Sequence, residues 1–171
     1  VQNPRKIFDT VSDNGAADVI LGALGLEAVD AVIADLGLAS TRVVGGTAAL
    51  QRRTIHDAGT RTLPEAGGLL ASNNTLHESA AFDPAYTTAT SAADINAVLR
   101  AIWTDEAASP RSCQKMRMLL AQQIWPHRIR SGFPFADVVV AGQTGTIGPI
   151  RNEAAVVEIP GAAPVAVSVF T

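Results

Sequence analysis

Val19, Ile20, Ala23 and Leu24 recur at three- and four-residue intervals, and so do Val29, Val32, Ile33 and Leu36. Residues so spaced share one helical face, which predicts helices over 16–24 and 26–36. The first is apolar enough to be expected as a buried helix. Gly25 and Gly37 stand where each should stop, because glycine accepts the left-handed conformation of a C-cap. Upstream, Asn3-Pro4 before Arg5-Lys6-Ile7-Phe8 reads as an N-cap and a first-turn proline, predicting a short helix that ends near Val11. Ser12-Asp13-Asn14-Gly15 interrupts the pattern with turn-forming residues.

Periodicity weakens from Ala39 to about Thr88, where Gly45-Gly46, Gly67-Gly68, Asn73-Asn74, Pro64 and Pro84 punctuate the chain. Short helices are expected at 47–56 and 64–70 within a long excursion over 43–86. Such an excursion is either a functional loop or a tolerated surface insertion. Ser91-Ala92-Ala93-Asp94 then resembles a capping box ahead of the stripe Ile95, Val98, Leu99 and Ile102. Ser109-Pro110 starts a further helix carrying Cys113, Met116, Met118, Leu119 and Leu120, ended by Trp125-Pro126, and 127–130 forms a last turn.

The period then changes. Ala136 to Ala141 is rich in valine and reads as a buried strand, followed by strands at 154–159 and 165–170 around the turn Pro160-Gly161-Ala162-Ala163-Pro164. Helices followed by sequential antiparallel strands argue an α+β class, with a helical part over 1–134 and a strand part over 135–171. Three strands alone would be unstable, so further structure is expected to cover them.

Composition removes several classes. Hydrophobic residues make up 47% and charged ones 17%, a globular and not a disordered balance. The net charge is −3, with Lys and Arg scattered and no basic stripe, so no nucleic-acid partner is expected. No apolar run approaches the ~18 residues of a membrane-spanning helix. The single cysteine, Cys113, excludes an internal disulfide and a cysteine-based metal site. No metal and no cofactor are expected.

Two short motifs carry the chemistry. Ser12-Asp13-Asn14 lies between a short helix and an apolar one, and Gly142-Gln143-Thr144-Gly145-Thr146 leaves a β-branched strand. Together they resemble the S-D-N and K-T-G elements of class A β-lactamases and penicillin-binding proteins. The surroundings agree: 89–94 resembles the helix start after the family's omega loop, Ser109-Pro110 and 129–134 its later helices, and 152–157 with 165–171 the hairpin after K-T-G. The resemblance implies a β-lactamase/transpeptidase-like fold and a small-molecule acyl substrate (β-lactam, ester or peptide-like), attacked by a serine to form an acyl-enzyme. Carried over by position, Ser12 would relay a proton. Asn14 would contact a substrate amide, and Gln143, Thr144, Gly145 and Thr146 would form the strand edge that binds substrate. Asp13 would hold the loop. The resemblance also implies export to the cell envelope.

The departures matter as much. The family's S-x-x-K helix precedes S-D-N, and this chain begins just before S-D-N. The nucleophile is therefore expected outside residues 1–171, on a missing segment or chain that completes the fold. The cut edges are then expected to be apolar and the isolated chain poorly stable. Ser112-Cys113-Gln114-Lys115 spells S-x-x-K but follows S-D-N, in a segment resembling an ordinary peripheral helix, and reads as a decoy. Gln143 replaces the K-T-G lysine and removes a positive charge. A charge pair about 4 Å apart is worth roughly 4 kcal/mol at an effective dielectric of ~20, so Arg151 or Arg130 is needed to compensate. No E-x-x-L-N string supplies the deacylation base. Glu78 stands nearest its place and is the candidate base, with Glu65 and His77 as neighbours in the same excursion. The alternative to an enzyme is a catalytically inactive β-lactamase-like binding domain that keeps the cleft.

Overall fold

The computed structural model describes residues 12–72, 79–147 and 150–171. The expected helix ending near Val11 lies outside them. Helices come first: α1 (Asn14–Leu24), α2 (Leu26–Asp35), α3 (Thr47–Asp57), α4 (Leu63–Ser72), α5 (Ala92–Trp103) and α6 (Pro110–Ala121). A 3₁₀ turn follows at Arg128–Gly132, then β1 (Val139–Ile147), β2 (Ile150–Glu158) and β3 (Val165–Val169). The fold class is α+β.

The caps explain where the helices begin. Asp13 accepts the Ala16 N–H at 2.7 Å, Ser91 Oγ accepts from Asp94 N at 3.1 Å, and Ser109 Oγ accepts from Ser112 N at 3.3 Å. Each satisfies a backbone donor that a helix N-terminus leaves orphaned. Gly25 and Gly37 take φ of 79° and 65°, as a left-handed cap requires. α6 ends at Ala121, short of the expected Trp125-Pro126 stop.

The three strands form one antiparallel sheet in the order β1-β2-β3. Val140 pairs with Val157, Ala141 with Val156 and Gly142 with Ala155. Successive residues alternate faces, yet Ala155, Val156 and Val157 are all buried, so both faces are covered at the sheet's centre. Val140, Ala155 and Val157 pack with Ile129, Phe133, Val138 and Val167. On the opposite face lies α5, tied on by Trp103 Nε1 to Glu158 at 2.8 Å and by Ser168 to Asn96 at 2.8 Å. β1 runs on through Gln143-Thr144-Gly145-Thr146, where the sequence placed a strand end at Ala141. The cause is pairing: each motif residue has a partner on β2, and a ladder overrides the poor strand propensity of glycine.

The described residues of the 43–86 excursion are tied together by specific contacts. An Arg42–Ala89 bridge closes its ends with two backbone hydrogen bonds of 2.8 and 2.9 Å. The Arg42 guanidinium reaches the carbonyls of Thr87 and Pro84. Inside the excursion, Asp57 accepts from Ser79 Oγ and Ala80 N, each at 2.9 Å. Burial alone would raise the Asp57 carboxyl, but hydrogen bonds from Ser79, His56 and Arg53 and the Arg53 charge hold it below the ordinary carboxylate value.

One expectation fails outright. α1 has no buried residue, and Val19 and Leu24 are 61% and 55% exposed. Helical spacing fixes which residues share a face, not what lies opposite it. Among the described residues, nothing covers that part of α1. Val32, Val165 and Val169 are likewise exposed.

Candidate active-site cleft

The loop before α1 and the strand β1 meet over 131 residues of sequence. Gln143 Nε2 donates to Ser12 Oγ at 2.7 Å and to its neighbour's carbonyl, Thr144 O, at 3.3 Å. The residue standing where a lysine was expected thus bridges to Ser12 as a neutral donor. Ser12 adopts φ of 60°, a left-handed conformation that a residue with a Cβ holds only when its surroundings impose it. Asp13, capping α1, and Gln143, gripping the hydroxyl, supply that constraint.

Between these elements lies a cavity of about 580 Å³, walled by Ser12, Asn14, Ala17, Thr47, Trp125, His127, Gln143, Thr144, Gly145 and Thr146. Six of the expected site residues (Ser12, Asn14, Gln143, Thr144, Gly145 and Thr146) are therefore brought together. Trp125 and His127 stack edge-on with centroids 6.0 Å apart. Among the described residues, no carboxylate is a wall.

Three residues that the sequence did not single out shape this site. Arg128, φ 65°, sends Nη1 to Gly145 O at 3.2 Å and to Asn152 O at 2.8 Å, and Nη2 to Thr146 Oγ1 at 2.6 Å. A planar fork with five fixed donors suits this clamp on a strand edge. Because Thr146 accepts from Arg128, its own hydroxyl hydrogen is left to donate elsewhere. Glu153, only 6% exposed, accepts from Ile129 N at 2.9 Å and anchors the turn beside Arg128. Asp18 caps α3 from α1, accepting Thr47 N at 2.7 Å and Ala48 N at 2.8 Å. The formal N-cap of α3 is Gly46, which has no side chain to do this. A Cβ on Gly46 would lie 1.9 Å from Asp18 Oδ1, so a side chain there would displace the capping carboxylate. The cap draws Thr47 to the cleft, where its hydroxyl is 3.4 Å from Asn14 Oδ1. These contacts span 17 to 33 residues, and no local spacing announces them.

Other candidates lie elsewhere. Arg151 pairs opposite Thr146 in the β1–β2 register, is exposed and is not a wall of the cavity. Arg130 lines a small recess with Gln123 and Glu153. Ser112 sits in the first turn of α6, hydrogen-bonded to Ser109 and remote from the cleft walls. Glu78 and His77 fall outside the described residues. Among the described residues no group of three or more His, Cys, Asp or Glu side chains could hold a metal, and no helix is long and apolar enough to cross a membrane.

Comparison with known proteins agrees with this geometry. Residues 9–171 match the profile of the beta-lactamase enzyme family. The fold is similar to an ancestral (GNCA) class A beta-lactamase, with 31% identity and a TM-score of 0.70 over 98% of this chain and 54% of that one. It is similar to the beta-lactamase from Streptomyces albus G, with 25% identity and a TM-score of 0.69 over 98% and 53%. A likeness to PBP-A, at 18% identity and a TM-score of 0.70 over 98% and 50%, shows the fold alone. No curated protein matches the chain. The chain spans about half the length of these solved structures.

Proposed function

This chain belongs to the beta-lactamase enzyme family, and from that premise we propose that it forms the substrate-binding wall of a serine acyl-transfer site that recognises a carboxylate-bearing acyl compound. The observation that carries this reading is the Arg128–Thr146–Gly145 clamp behind a cavity whose described walls hold no carboxylate. Arg128, like Arg151, is not itself a wall, but it grips the wall residue Thr146 from behind, and a hydroxyl backed by a cation suits a carboxylate. The pair offsets the charge that Gln143 does not supply. Arg151, across the strand from Thr146, is a second cation on the same hairpin.

The remaining roles follow from position. A serine outside residues 1–171 attacks the acyl carbonyl, and the C–N or C–O bond to the leaving group breaks. Ser12, held by Gln143, passes the proton to the departing atom. Asn14 contacts the amide of the acyl substituent, and Thr144 to Thr146 pair with the substrate along the β1 edge. Thr47, not a carboxylate, faces Asn14 across the inner wall. Glu78 is the remaining candidate base by position. Water activation is therefore expected to be slow, and an acyl adduct long-lived. This favours an acylated, penicillin-binding type of protein over a fast β-lactamase. Export to the cell envelope is the localisation the family resemblance implies.

A second reading rests on the same two features. A cleft with Gln143 in place of lysine and Thr47 on its inner wall also suits an inactive binding domain. The intact mass of the natural protein, before and after incubation with a penicillin, separates the two. The account expects a mass above 17.7 kDa and a drug-sized adduct that persists for many minutes. A larger protein that binds the drug without an adduct would leave the binding domain. An adduct on Ser112 would overturn the assignment of that serine.

A further inference from the structure

One face of β2 carries an acidic residue in an apolar row. Alternate residues of a strand share a face, so Glu153 stands in line with Ala155 and Val157, which pack against Ile129 and Phe133. Glu153 is 6% exposed, and among the described residues no ion pair offsets it. Burying a polar group costs free energy unless hydrogen bonds repay it, and an apolar side chain would complete the row. What the Glu153 side chain accepts is the Ile129 N–H, at 2.9 Å. That donor lies in the first turn of the Arg128–Gly132 segment, where backbone N–H groups have no partner within the turn. His127, at the N-cap position, makes no side-chain hydrogen bond to it. Glu153 therefore caps the turn from another strand, as Asp18 caps α3 from another helix.

We infer that Glu153 is a positioning residue, which fixes the backbone of Arg128 so that its guanidinium backs Thr146, and which thereby sets the preference for a carboxylate over a neutral ligand. The inference rests on the cleft reading above and adds a residue that is not a wall of the cleft. Arg128 stands directly before the capped N–H and has φ of 65°. A residue with a Cβ keeps that conformation only where its surroundings over-determine it. Two adjacent residues of β2 do so. Asn152 O accepts from the Arg128 guanidinium at 2.8 Å, and the Glu153 carboxyl accepts from the next backbone N–H. Without the cap, the backbone at Arg128 is free to return to negative φ, and the fork turns away from Thr146 and Gly145. Glu153 is also the register partner of Thr144, so the cap acts from just behind the strand edge that lines the cleft.

Three variants of the intact natural protein test this, each titrated with a penicillin and with its methyl ester. Glu153→Met keeps a long side chain but offers no oxygen to Ile129 N, and it suits the apolar row, so it should fold. Glu153→Leu repeats the test with a different shape. Glu153→Gln keeps an acceptor. Glu153→Met and Glu153→Leu should weaken the acid about tenfold, the factor carried by one lost hydrogen bond of a charged group, and the ester by less than about threefold. Glu153→Gln should hold both ligands within about threefold of wild type, because the cap is kept. In an Arg128→Ala background, Glu153→Met should cost the acid nothing further, since two residues that act through one contact do not add. No loss in Glu153→Met and Glu153→Leu, an equal loss for acid and ester, a loss in Glu153→Gln as large as in Glu153→Met, or additive losses with Arg128→Ala would each overturn the role of Glu153 while the cleft stands. If the wild type binds neither ligand, the cleft reading itself fails and takes this one with it.

Discussion

Replacing Arg128 with alanine is expected to weaken binding of a carboxylate-bearing acyl compound by ten- to a hundredfold. The Arg128 fork makes three hydrogen bonds to the Gly145–Thr146 edge and Asn152. A hydrogen bond involving a charged group contributes about 1.5–3 kcal/mol, and each 1.4 kcal/mol is a factor of ten in affinity. The loss has two parts. The cation that offsets the ligand's charge goes, and Thr146 loses the donor that orients its hydroxyl. Arg128→Lys retains the charge without the fork and should fall between wild type and alanine. The methyl ester of the same ligand, which carries no carboxylate, is the control. Its affinity should change by less than threefold, because only the general positioning of Thr146 is affected. Titration of both ligands against both variants measures this directly. An equal loss for acid and ester would mean that Arg128 supports the hairpin and does not recognise the anion.

Gly142→Val is expected to destabilise strongly the sheet that carries the cleft. Gly142 is buried opposite Ala155 in the register. A Cβ there would lie 2.5 Å from Ala154 O, 2.5 Å from Ala155 Cβ and 2.8 Å from Ala155 Cα. Backbone and a fully buried alanine cannot yield as a flexible side chain would, so β1 and β2 must separate locally. Overpacking of a dense core costs about 1–3 kcal/mol. The broken pairing beside the bridge from Gln143 to Ser12 adds to that, for a total of about 4 kcal/mol, large against a domain's ~5–15 kcal/mol. Gly145→Ala is the matched control, since its nearest neighbour would be Asn152 Cβ at 3.8 Å, an ordinary contact. Denaturant unfolding of the natural protein should show a large loss of midpoint for Gly142→Val and little for Gly145→Ala. Equal stability of the two would show that the strands are free to part at this point.

The helices could be read in the sequence because their signals are local. Ser91 and Ser109 cap the helices they precede, and Gly25 and Gly37 take a positive φ where their helices stop. The motif residues could be read as a pair because both arms of the cleft are short strings. What was hidden has a different physical origin. The exposure of Val19 and Leu24 depends on what packs against α1, which periodicity does not encode. The continuation of β1 through Gly145 depends on its partner strand. Nothing local in the sequence sets Arg128 apart from its near neighbour Arg130 or from Arg151 beyond the strand turn. Its real neighbours, Gly145, Thr146 and Asn152, are set by a 3₁₀ turn that Glu153 anchors from another strand. Asp18 was hidden for the same reason: it caps a helix 29 residues away. The missing side chain at Gly46 was the one local hint that the cap must come from elsewhere.

The cleft between the Ser12 loop and β1 should hold a carboxylate-bearing acyl compound in one orientation, and a crystal structure of the intact natural protein soaked with a penicillin would show it. The drug's carboxylate should lie within hydrogen-bonding distance of Thr146 Oγ1 and the Arg128 guanidinium, with its side-chain amide at Asn14. Drug density elsewhere on the protein, or a carboxylate turned away from Arg128, would contradict it.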